Sequence, residues 1–164
     1  MRLPGPHAAW KSGWDDGVLS DPREPIRVPT PADYLDLARA STDGSVLHQL
    51  ARCCYPFVWQ ELAANPRTPP VALLELTAAR HSTWNDNRLL HLLAEHPGAD
   101  RVVLRAVLDA TASKLAEGER PYAAVLALAE RVELEADEVR ELGALAGASA
   151  RLRGLLHRRL AARG

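Results

Sequence analysis

The chain has 164 residues, 47% of them apolar and 25% charged, and a formal charge of −1. That length suits one domain with a real core, and the balance is ordinary for a soluble globular protein. A charge so near zero excludes a global field that would draw the chain to nucleic acid or an anionic membrane, and no apolar run is long enough to span a bilayer.

Alanine, leucine and arginine dominate, and aromatic residues make up only 5%. Good helix formers with few β-branched or aromatic residues predict an all-α fold. Pro4, Gly5 and Pro6 interrupt the start, so no secretion leader is expected there. Cys53 and Cys54 are neighbours, and adjacent cysteines rarely bridge without strain, which points to a reducing cytoplasm.

Residues 1–31 are punctuated by proline and glycine and are expected to be an irregular segment packing on the rest, with 32–164 forming one helical-repeat domain. Trp10 and Trp14, four apart, are expected to cover the bare end of the array, or else to dock on a partner. Pro22 and Pro25 read as a stiff lead-in rather than a polyproline ligand. Thr30 before Pro31 then starts a helix to about Ala40, burying Tyr34, Leu35, Leu37 and Ala38. Asp43 and Gly44 break it, and Ser45 is expected to cap a second helix with Val46, Leu47, Leu50 and Ala51 inward. Cys54 falls on that same stripe and reads as an inert core thiol.

Pro56 opens a third helix, with Val58, Trp59, Leu62 and Ala63 on its apolar face and Asn65-Pro66 stopping it. Thr68-Pro69-Pro70 repeats the pattern of a cap followed by proline. The helix after it carries Val71, Leu73, Leu74 and Leu76 around its circumference, so burial on most sides is expected. Residues 81–87, HSTWNDN, read as a polar loop whose Trp84 is tucked back between helices, or else is offered to a partner. Asn85 or Asp86 should cap the helix carrying Leu89, Leu90, Leu92 and Leu93, and His96-Pro97 should end it. Asp100 caps the next, where Val102 to Leu108 leave only Arg105 and Asp109 polar, before it frays from Ala112 and stops by Gly118. Pro121 opens another with Val125, Leu126, Leu128 and Val132 buried. A helix with Val139, Leu142 and Leu145 follows, and Ser149 caps the last, whose Leu152, Leu155, Leu156 and Leu160 make one stripe.

The middle of this list says nearly the same thing twice. Leu62-Ala63-Ala64-Asn65-Pro66 returns as Leu93-Ala94-Glu95-His96-Pro97, and Val71, Leu73 and Leu76 return as Val102, Leu104 and Val107. Leu128-Ala129-Glu130-Arg131 is a looser third copy. Such self-similarity marks stacked helix pairs that bury their apolar faces on one another. Asn65-Pro66, Thr68-Pro69 and Leu73-Leu74-x-Leu76 resemble the leucine-rich repeat variant family, a bacterial helical array akin to HEAT and armadillo repeats. The resemblance implies a right-handed α-solenoid of about four stacked helix pairs with a binding role. The founding member pairs its repeats with an iron–sulfur cluster, but two adjacent cysteines cannot supply four spread ligands, so no cofactor is expected.

No catalytic constellation or nucleotide fingerprint is present. His91 and His96 lie about 140° apart around a helix axis, on different faces, so no metal pair is expected and His96 reads as structural. His81 with Asp86, or His48 with Cys53, would meet only by accident of fold. Two surfaces remain as interaction candidates: the segment with His81, Trp84, Asp86 and Arg88, and the last helix with Arg151, Arg153 and Arg158. Arg159 falls within the leucine arc and must snorkel or find an acid. The expected function is a non-enzymatic scaffold for a protein or peptide. The alternative is a nucleic-acid-binding protein resembling HEAT-like DNA glycosylases, with Trp84, Asp86 and Arg88 at its centre; self-pairing of a small accessory subunit is a third.

Overall fold

A computed structural model describes residues 29–163. The expectations on Trp10, Trp14, Pro22 and Pro25 lie outside the described residues. Within them the chain is helical with no strand: α1 (Pro31–Ala40), α2 (Gly44–Leu50), α3 (Pro56–Ala64), α4 (Pro70–Leu76), α5 (Thr83–Glu95), α6 (Arg101–Ala116), α7 (Tyr122–Leu128), α8 (Ala136–Arg140), a 3₁₀ turn (Glu141–Ala144) and α9 (Ala150–Ala161).

Local chemistry explains most of the boundaries. Thr30 and Asp33 form a reciprocal capping box at α1, in which the Asp33 carboxylate accepts the Thr30 N–H at 2.6 Å. Asp100 and Ser149 cap α6 and α9 as expected, accepting from Val103 N–H at 2.9 Å and Leu152 N–H at 3.2 Å. Three caps differ from expectation. Asp43, not Ser45, caps α2, because the carboxylate two residues earlier accepts the Ser45 N–H at 2.8 Å. Ser82, rather than Asn85 or Asp86, caps α5. Thr68 caps nothing: its buried hydroxyl donates to Leu62 O at 2.6 Å and so finishes α3 rather than starting α4.

The helices pack in two rows. Each odd-numbered helix from α1 to α9 contacts the next odd one, α2, α4 and α6 contact one another in turn, and α1–α2, α3–α4 and α5–α6 are packed pairs. Ion pairs bind like ends of like helices. Arg39 meets Glu61 at 2.9 Å, and Arg101 and Arg105 meet Glu138. Glu75 takes both Arg52 and His48 at 2.9 Å, and the Arg52 hydrogen bonds, aided by His48, hold its carboxyl at about 2.

A chain of side-chain bonds runs through the duplicated phrase. Asn65, at the end of α3, donates from Nδ2 to Ser41 O at 3.0 Å and Ala38 O at 2.9 Å, at the end of α1. His96, at the end of α5, joins its Nε2 to Asn65 O at 2.8 Å. Arg131, just past α7, donates to His96 O at 3.0 Å, Ala99 O at 3.0 Å and Ala94 O at 3.3 Å. A helix end leaves its last carbonyls without partners, and here each is answered by the following helix of the same row. Asn65→Ala is therefore expected to cost about 2 kcal/mol, by orphaning buried carbonyls at the end of α1. Urea unfolding should show a lower midpoint at an unchanged slope; an unshifted midpoint would refute the clamp.

The core follows the leucines of both rows, with Leu62, Leu73, Leu93, Leu104 and Leu128 fully enclosed. Several residues expected inside are not. Leu37, Val71 and Leu74 are open, Val102 is 62% exposed and Val132 is 84% exposed. A helix flanked by two row neighbours and its pair partner still has one free side, and nothing requires that side to be polar. Val132 is out because α7 ends at Leu128, four residues earlier, and Cys54 is exposed because α2 ends at Leu50. The other expected inward residues are buried or half-buried.

α6 does not fray. It is regular to Ala116 and closes with Gly118 at φ +82°, where Gly118 N–H donates to Leu115 O and Glu119 N–H to Lys114 O. This left-handed glycine close folds Glu119 back over the preceding turn.

Candidate interaction surface

The polar segment 81–87 is mostly helix. Ser82 Oγ accepts the Asn85 N–H at 3.4 Å, and residues from Thr83 onward give α5 an extra first turn. Trp84 sits second in that turn and is 67% exposed. The tucked-back expectation for Trp84 is thus overturned.

Trp84 is nonetheless held. The Arg88 guanidinium lies 5.8 Å from the indole centroid, within cation–π range. Arg88 Nε donates to Gln60 Oε1 at 2.9 Å, Gln60 Nε2 donates to Asn85 Oδ1 at 2.9 Å, and Asn85 Nδ2 donates to Ser82 Oγ at 2.9 Å and reaches His81 Nδ1 at 3.2 Å. One network therefore fixes α3 against the first turn of α5, with Arg88 set beside the ring. His81 and Arg88 share this network, as the sequence grouped them.

Asp86 does not join them on the surface. It is buried, accepts the His81 N–H at 2.8 Å and pairs with Lys114 Nζ at 3.3 Å; Lys114 also meets Glu119 at 3.1 Å. The trio Trp84, Asp86 and Arg88 is therefore not assembled on one face. Lys114 was missed, although it continues the Val103, Val107 and Ala110 stripe at helical spacing.

Trp84, Arg88, His91 and Glu95 are spaced four, three and four, which aligns them along one side of α5 over about 16 Å. The lower part of this stripe opens into a groove of about 380 Å³, floored by Ala123, Leu126 and Ala127 of α7. Its edges carry the contact of His91 with Glu95 at 3.3 Å and the ion pair of Arg159 with Glu130. Arg159 has found an acid, as required. Arg151, Arg153 and Arg158 line no part of this groove; Arg153 donates back to Ala148 O at 2.7 Å, and Arg151 and Arg158 are exposed.

Among the described residues no cluster of His, Cys, Asp and Glu could hold a metal. His48 pairs with Glu75 rather than Cys53. His96 is buried with both ring nitrogens engaged, Nδ1 accepting Gly98 N–H at 3.0 Å. Burial, opposed by the Asn65 bond and helped by Arg131, holds its pKa below the ordinary value. No helix is long and apolar enough to cross a membrane among the described residues. No family model, curated protein or solved structure matches the chain.

Proposed function

We propose that the chain is a right-handed α-solenoid of the leucine-rich repeat variant kind, serving as a non-enzymatic scaffold. Its odd row binds a protein or peptide along the Trp84, Arg88, His91 and Glu95 stripe of α5. What supports the stacked reading is the contact of each odd-numbered helix with the next odd one and of α2, α4 and α6 in turn, and the repeated clamp along the odd helices from α1 to α7. What carries the binding reading is a single observation: the most exposed aromatic among the described residues, Trp84, has the Arg88 guanidinium set beside its ring by a hydrogen-bonded network. A large aromatic ordered before binding loses little freedom when a partner covers it, which is the character of an interface anchor. Two free cysteines suit a reducing compartment, which supports a cytoplasmic setting for the proposed scaffold.

A photo-crosslinking residue at position 91 tests this in the cell that makes the protein. It is expected to trap one discrete protein, whereas the same group at exposed position 102 traps none. Trp84→Ala should cut the yield about thirtyfold, the value of a strong interface anchor. Because Trp84 buries little, that variant should unfold within about 0.5 kcal/mol of the wild type. Equal trapping at 91 and 102, or trapping indifferent to Trp84→Ala, would remove the proposal.

A further inference from the structure

The clamp is made three times by three different side chains, and only one of them titrates near neutrality. An amide such as that of Asn65 has no proton to lose or gain in this range, and the side chain that changes charge near neutrality is an imidazole. The His96 ring stands at the centre of the array, buried to 2% exposure, between α5, the end of α3 and the turn after α7. Its two bonds demand one protonation state. Nε2 must carry a hydrogen to donate to Asn65 O, and Nδ1 must be bare to accept Gly98 N–H.

We propose that the junction between the α3–α4 and α5–α6 pairs is a pH-sensitive hinge, opened when a proton on His96 Nδ1 cancels the Gly98 bond and sets a second cation against Arg131. Each charged group around the ring fits this. From the turn after α7 comes Arg131, whose charge acts on the imidazole and whose acid partner, Glu133, is already engaged at 2.8 Å. From α5 come Glu95 and His91, paired with each other on the open side. From the start of α6, Asp100 is committed to Val103 N–H and Arg101 to Glu133 O and Glu138. From the end of α3 comes Arg67, exposed, with its N–H on Asn65 Oδ1. No carboxylate in this shell is placed by a hydrogen bond to receive the new charge.

The ring cannot step aside either. A Cβ on Gly98 would stand only 3.2 Å from His96 Cε1, so the loop already lies close against it. Because the folded junction holds the ring neutral, its closure is complete above the ordinary value of 6.5. Closure weakens as pH falls below that value, by up to about tenfold per unit while one extra proton binds the open form.

Asn65 supplies the control. It occupies the same helix-end position with similar backbone angles, and its Oδ1 accepts the N–H two residues on, as His96 Nδ1 does. His96→Asn should therefore keep the clamp and lose the titration. Amide hydrogen exchange, corrected for intrinsic rate, is followed at Gly98 and Ala99 from pH 7.5 to 5. Protection in the wild type should fall up to about tenfold per unit below 6.5 while α7 and α9 hold theirs, and in His96→Asn it should stay level. Ring nitrogen resonances in the wild type should report the Nε2–H form, leaving it only as Gly98 protection is lost; this reading stands even if the variant does not fold. Equal acid loss in both chains, a loss that runs equally through α7 and α9, or a ring that titrates with Gly98 still protected would each overturn the hinge.

Discussion

Gly147→Ala is expected to destabilise the protein by about 3 kcal/mol, at the upper end for one added methyl in a packed site. A Cβ at this position would lie 2.5 Å from Glu119 O and 2.7 Å from Leu115 O, both backbone atoms that cannot swing away. The same residue ties three elements together. Its N–H donates to Leu115 O at 2.7 Å, its carbonyl accepts the Tyr122 hydroxyl at 2.8 Å, and that hydroxyl takes the Ser149 N–H at 3.3 Å. Moving the glycine therefore disturbs the end of α6, the start of α7 and the cap of α9 at once. Gly143→Ala is the matched control, because its Cβ would meet only side-chain carbons at 3.6 Å. Urea titration of both variants decides the matter, and equal midpoints would show that the close approach carries no energy.

Lys114→Met should cost at least as much, about 3 to 5 kcal/mol. Lys114 is buried at the meeting of α6 and α5, with Asp86 on one side and Glu119 on the other. Removing the cation leaves Asp86 enclosed with only the His81 N–H to answer its charge. Asp86→Asn should cost less, since an amide oxygen can keep that backbone bond. A Lys114→Met protein as stable as the wild type in urea would mean that water replaces the ammonium without penalty. Either loss would also slacken the first turn of α5, on which Trp84 stands.

The helical character and most boundaries were legible because they rest on short-range chemistry. Thr30-Pro31, Asp100 and Ser149 each mark a helix start by a side chain that reaches only three residues on. The duplicated Leu-Ala phrase located the ends of α3 and α5, though not the use made of them. Asn65 and His96 looked like simple stops before proline; that they clamp the preceding helix depends on a partner more than twenty residues away, which no local pattern carries. Failures clustered where a local pattern admits two answers. Val71, Leu74 and Val102 read as inward because an apolar residue carries no mark of which side its neighbours occupy. Residues 81–87 read as loop because Ser, Thr, Asn and Asp favour both turns and first helical turns. That single ambiguity decided the position of Trp84. Lys114 and Asp86 were hidden by the opposite bias, since charged residues are assumed outside until a buried partner is found.

The succession from Ser41 O to Asn65, from Asn65 O to His96 and from His96 O to Arg131 points one way along the chain. Within this succession each helix end lends its backbone acceptors forward and takes its donor from what is made later. On the ribosome, a nascent pair is thus left with bare acceptors until its successor emerges, so assembly should lag synthesis by one unit. Shortening the gene from its 3′ side would expose such backbone acceptors, while shortening it from the 5′ side would free side-chain groups, the Asn65 and His96 donors and the Glu61 and Glu75 carboxylates, that water satisfies readily. The two truncation series should therefore differ in solubility at equal length.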